Sequence, residues 1–210
     1  MATDRRRQGF TVIELLLAMA FLGFMLVFVV GATTQLLRTY NKGLTIKQIN
    51  QSGRDISETI KRDLAASKTI TFIPAAQRLC TDQAAYIWNT TTASPNQYSG
   101  SDSTTPLYLV RTSDSSFLSQ ACTLSGGRYP AIPKVSVSEL LSAQASVETL
   151  GLTINSDRKL ATLQLDLGSS GLSAPVFDAV SGRYVCTGDI NGQFCATASF
   201  VTTIYAPNGG

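Results

Sequence analysis

Histidine is absent from this 210-residue chain, which removes the commonest general base and the commonest metal ligand together. Cysteine occurs four times, at Cys80, Cys122, Cys186 and Cys195, and never as a C-x-x-C pair. That spacing argues against zinc-ribbon and thioredoxin-type chemistry. Proline is missing before Pro74, so nothing of that kind interrupts a helix there. Charge is scarce as well: 15% of residues carry one, and the formal net charge is +3. Arg5, Arg6 and Arg7 against Asp4 supply two of those three charges. The remainder has no clustered basic face, and direct nucleic-acid binding is not expected. No G-x-S-x-G elbow accompanies the serines scattered near Asp166 and Asp178. The chain is therefore not expected to be an enzyme, and it suggests neither a cofactor nor a metal site.

What the chain does have is one long apolar run. Residues 15–32, "LLLAMAFLGFMLVFVVGA", are uninterrupted apolar or small residues, about 27 Å of α-helix and close to the hydrocarbon thickness of a bilayer. The three arginines before it hold the N-terminus in the cytoplasm and send the rest outward. A secretory signal peptide would end at Val30-Gly31-Ala32, and a plain single-pass anchor would simply stay in place. Neither gives a reason for Glu14, a carboxylate at the start of the run.

The stretch "RRRQGFTVIELLLA" resembles the type IV prepilin leader, in which a short basic peptide ends in Gly, followed by Phe and by Glu at the fifth position after the cut. The resemblance implies that a prepilin peptidase cleaves between Gly9 and Phe10 on the cytoplasmic side and methylates the new amine of Phe10. It implies a structural subunit of a type IV pilus-like filament, held as a single-pass protein of the inner membrane before assembly and displayed at the cell surface afterwards. The expected partners are other pilin subunits, the peptidase, an inner-membrane assembly platform, and membrane lipid before assembly. A pseudopilin of a type II secretion or DNA-uptake system fits the same leader. A membrane-anchored extracellular binding domain is the alternative from another class. Further along, "GRDISETIKRDLAASKTI" is loosely similar to the end of the long helix in larger minor pilins and pseudopilins of the J or W type.

Within that reading Glu14 acquires a role. A carboxylate in a bilayer costs several kcal/mol unless it is paired or protonated. Cleavage would create a positive amine at Phe10, about one helical turn away, and a staggered neighbour could bring its amine to this carboxylate. Glu14 would then set register during assembly, as a polar residue does in a coiled-coil core. Gly23 and Gly31 either loosen the helix in the filament or allow close helix packing.

Beyond the apolar run, Ile56, Ile60 and Leu64 form a stripe at i, i+4 and i+8, flanked by Arg54, Glu58, Lys61, Arg62 and Asp63. One helix from Phe10 to about Ala66 is predicted. Strands are expected at 69–73 and 106–112, a polar loop at 89–105, and a short helix at 136–144. "VETLGLTI" and "LATLQLDL" alternate and form a hairpin, while 183–205 suggests a second one turning at Asn191-Gly192. The fold class is α+β, a long helix against an antiparallel sheet, and the resemblance implies a type IV pilin-like version of it. The predicted organisation is leader 1–9, spanning helix 10–34, amphipathic half 35–66 and β-rich head 67–210. Four cysteines beyond an anchor favour two disulfides. Cys80–Cys122 with Cys186–Cys195 is preferred, and two other connectivities are open.

Overall fold

The computed structural model describes residues 11–89, 108–125, 129, 136–142, 145–155, 160–170, 174–186 and 195–205. They form an α+β protein: one long N-terminal helix, α1 (Val12–Ala66), followed by antiparallel sheets. The chain divides into two compact units, Met1–Asn41 and Lys42–Gly210, and α1 contributes to both. Among its described residues, the first unit is helix from Val12 onward.

Helix α1 ends where local chemistry changes. The Ser67 hydroxyl donates back to the Leu64 carbonyl (2.8 Å), and the following Thr69-Ile70-Thr71 is a β-branched run that favours extended backbone. The second unit then builds a five-stranded antiparallel sheet in the order β1 (Ile70–Ile73), β2 (Arg78–Thr81), β3 (Ala85–Trp88), β4 (Leu109–Thr112) and β5 (Ser138–Glu139). A short helix, α2 (Ser115–Ala121), follows β4, its N-terminus capped by the Asp114 carboxylate accepting from the Ser116 N–H.

Strands β2 and β3 are buried on both faces, and the pleat sorts their side chains. Leu79, Tyr86, Trp88 and Leu109 join Ile49, Ile56, Ile60 and Leu64 of α1 in the main core. Cys80, Ala85, Ile87 and Val110 point the other way, into a smaller core with Ala121, Phe117 and Leu118 of α2. The α1 stripe thus packs as its spacing predicts, each of its large side chains contributing about 1.5–3 kcal/mol of burial.

The predicted hairpin is β6 (Ala145–Ile154) and β7 (Leu160–Ser169), with Leu150 opposite Leu165 and Leu152 opposite Leu163. Leu163, Leu165 and Leu167 are buried against the same main core. A register shift between Val147 and Thr149 marks a β-bulge at Glu148. Strand β10 (Thr197–Tyr205) completes this three-stranded sheet in the order β10-β7-β6.

Three expectations need correction. Residues 136–142 hold no α-helix; β5 pairs there with β4, Val110 opposite Glu139. The alternation around Val137 has the strand period, and the Glu139 carboxylate accepts backbone N–H bonds from Tyr108, Leu109 and Leu141 at 3.0, 2.9 and 3.2 Å. Residues 183–205 are not one hairpin. β9 (Arg183–Val185) pairs back with β8 (Val176–Asp178), and β10 pairs over nine residues with β7, a longer partner than β9. The Asn191-Gly192 turn lies outside the described residues, as does nearly all of the 89–105 loop. Asp63, one of the charges expected to flank the α1 stripe, is buried. It lies three residues past Ile60 and therefore on the stripe itself.

Candidate functional site: an exposed apolar helix and its two polar anchors

The first part of α1 is long and apolar enough to cross a membrane. Its large apolar side chains between Val12 and Val30 are exposed by 41% at Met25 to 77% at Val12. They surround the helix rather than forming a stripe, the distribution of a helix that meets apolar surroundings on every side. A Cβ built at Gly23 or Gly31 would touch nothing within 4 Å, so these glycines leave open notches on that surface.

Glu14 sits in the first turn of this helix. The Thr11 N–H and the Thr11 hydroxyl both donate to Glu14 Oε2 at 3.0 Å, and the Glu14 N–H donates back to Thr11 Oγ1 at 3.3 Å. This reciprocal pair is a capping box, which satisfies two of the free N–H groups that every helix start leaves over. The carboxylate therefore has partial compensation within its own chain, which the sequence reasoning missed. The T-x-x-E spacing of Thr11 and Glu14 was the available signal. Oε1 takes no hydrogen bond from the described residues. Gly9 and Phe10 lie outside the described residues.

At the other end of α1 a second carboxylate anchors the helix to the five-stranded sheet. Asp63 Oδ2 accepts from the Tyr86 hydroxyl of β3 at 2.5 Å and from Arg111 Nε of β4 at 2.8 Å. Burial raises the Tyr86 pKa well above the usual phenol range, and the neighbouring Asp63 carboxylate adds to the rise. The hydrogen bond from Arg111 to Asp63 raises the Arg111 pKa too. Both shifts describe one arrangement: phenol and guanidinium keep their protons to serve a single carboxylate.

Both expected disulfides are formed. Cys80–Cys122 ties β2 to the end of α2 across 42 residues, with Cα atoms 6.1 Å apart. Cys186–Cys195 ties the end of β9 to the start of β10, with Cα atoms 5.6 Å apart. Loop-closure entropy puts their contributions at about 4 and about 3 kcal/mol.

No family model, curated protein or solved structure matches the chain.

Function must therefore be argued from the site itself. Among the described residues no three His, Cys, Asp or Glu side chains gather as a metal site. A groove of about 500 Å³ lies on the face of β7 and β10 that carries Gln164, Asp166 and Ser199, bordered by Arg183 and Tyr184 of β9. It is an open surface groove rather than an enclosed cavity. The feature of the chain with the most area and the sharpest chemistry is the apolar helix with one carboxylate at its start.

Proposed function

We propose that this chain is a structural subunit of a type IV pilus-like filament, cut after Gly9, methylated on Phe10 and assembled through the first half of α1. The observation that carries this reading is the all-round exposure of apolar side chains on a helix whose first turn holds Glu14. In the membrane, lipid covers that surface and the capping box shares the carboxylate with Thr11. In the filament, helices of neighbouring subunits replace the lipid, and Oε1 of Glu14 accepts from the methylated amine of an adjoining Phe10. Two charges that are expensive apart in a low dielectric become one pair, and the pair exists only when the stagger is right. The head, closed by two disulfides, suits an oxidising exterior.

Mass spectrometry of the mature N-terminus tests the reading directly. N-methylated Phe10 as first residue is the expected result. A chain beginning at Thr33, after the Val30-Gly31-Ala32 sequence, would show that the helix is a removed signal peptide.

A further inference from the structure

The two sheets end differently. In the five-stranded sheet the edges are β1 and β5, four and two residues long. In the three-stranded sheet one edge, β6, starts with four buried residues, whereas β10 runs for nine residues with alternate positions exposed along its length. β10 reads "TASFVTTIY": no charged residue, no proline, and mostly β-branched or aromatic side chains. Proteins normally blunt such an edge with Lys, Pro, a bulge or a covering loop, because its free backbone groups pair with any extended chain. Here the register with β7 is regular over all nine pairs, so no bulge turns the edge away.

The direction of the free groups can be worked out. The Ser169 N–H donates to the Ala196 carbonyl, which makes Ala196 and Ser169 a hydrogen-bonded pair at the end of the ladder. In an antiparallel ladder bonded and non-bonded pairs alternate. Ala198, Phe200, Thr202 and Ile204 therefore bond to β7, while Thr197, Ser199, Val201, Thr203 and Tyr205 direct their N–H and C=O groups away from it. Among the described residues none of these outward groups has a partner. On the strand itself Val201 and Tyr205 are 65% and 59% exposed.

We infer that β10 is a self-pairing edge, through which the heads of two copies of this chain join antiparallel into one six-stranded sheet. A two-fold axis at Val201 sets Val201 opposite itself, Ser199 opposite Thr203 and Thr197 opposite Tyr205. Every outward residue then meets another outward residue, so the whole row of free N–H and C=O groups is satisfied at once. The strand itself brings no charge to the axis. The joined heads run in opposite directions along the sheet. The pairing does not depend on the filament reading.

Thiol cross-linking of the full chain in detergent micelles tests this, with a short bis-maleimide and single-cysteine additions. Val201→Cys is expected to yield covalent homodimers. Thr197→Cys alone is expected not to, since its two copies would lie about 27 Å apart, but it should link to Tyr205→Cys in a mixed sample. Adding Val201→Pro to that mixed pair removes one outward N–H and leaves the β7 side intact, and should lower the yield at least about tenfold. Near-ultraviolet dichroism of Trp88 confirms that the proline variant keeps its fold. A Val201→Cys chain that stays monomeric overturns the inference, as does one that links only to a different protein. So does Thr197→Cys linking to itself as readily as Val201→Cys, or a yield that Val201→Pro leaves unchanged.

Discussion

The two halves of α1 are one helix by backbone and two different objects by surface. From Val12 to Val30 every large apolar side chain is exposed; from Ile49 onward Ile56, Ile60 and Leu64 are buried on one stripe. The contrast lies in angle more than in quantity. An apolar collar demands apolar neighbours all round, whereas a stripe is satisfied by one sheet on one side. Each half also holds one acidic residue against its apolar surface, and the two are met differently. Asp63 has a phenol and a guanidinium from within the head, while among the described residues Glu14 has only the start of its own helix.

The sharpest way to break this comparison is at Glu14. Glu14→Ala is expected to leave membrane insertion and the head's melting unchanged but to lower incorporation beside wild-type subunits about hundredfold, the effect of losing about 3 kcal/mol of buried pairing. Glu14→Gln retains an acceptor for the Thr11 N–H and loses the charge. If it incorporates normally, helix capping and not charge is what matters. Competition between tagged variants in sheared filaments supplies the measurement.

The second test exchanges the halves' roles. Leu64→Ala should destabilise the head by about 2–5 kcal/mol, because it empties a fully buried position, whereas Leu22→Ala should leave head stability untouched. Trp88, the single tryptophan, is buried and stacked on Phe72 with ring centroids 6.1 Å apart, and it reports unfolding of the head in detergent.

Smaller effects probe the inner anchor. Asp63→Ala removes the acceptor shared by Tyr86 and Arg111 and should lower stability by about 2–3 kcal/mol, measured by the same tryptophan signal. The smallest expected effect is on alkaline stability. The folded head holds the Tyr86 phenol protonated above its ordinary value, so the unfolded chain loses that proton first, near pH 10. This contribution is fully present below that pH and should decline as pH rises past it, by about 1 kcal/mol per unit. Tyr86→Phe should flatten that part of the profile.

How much of this was legible in the sequence follows from how far apart the cooperating residues lie. The long helix, its stripe and the β6–β7 hairpin were readable because their signals are periodic within a single segment. The cysteine pairing was narrowed to a preference by position alone, and the structure forms the preferred pairs. The Asp63 anchor was not foreseen: its partners lie 23 and 48 residues away, and no local period announces them. A carboxylate on the apolar stripe was nevertheless a visible sign that some buried donor had to exist. The strand at β5 was hidden by two leucines that suit a helix equally well. The partner of β10 was misread because a near turn signal outweighed a distant strand of matching length. At Glu14 the carboxylate was singled out, but its capping hydroxyl three residues earlier was overlooked.

The Asp63 anchor has a mechanical consequence. Along the chain, α1 is joined to the first sheet through residues 67–69 and the four-residue β1, a thin covalent attachment for a helix that would be hauled on. Asp63 fastens the helix sideways to β3 and β4 just before that point, so tension along α1 is shared with the interior strands. The short peripheral strand is shielded from being peeled off first, and the Cys80–Cys122 staple holds the adjacent strand should the load exceed the latch.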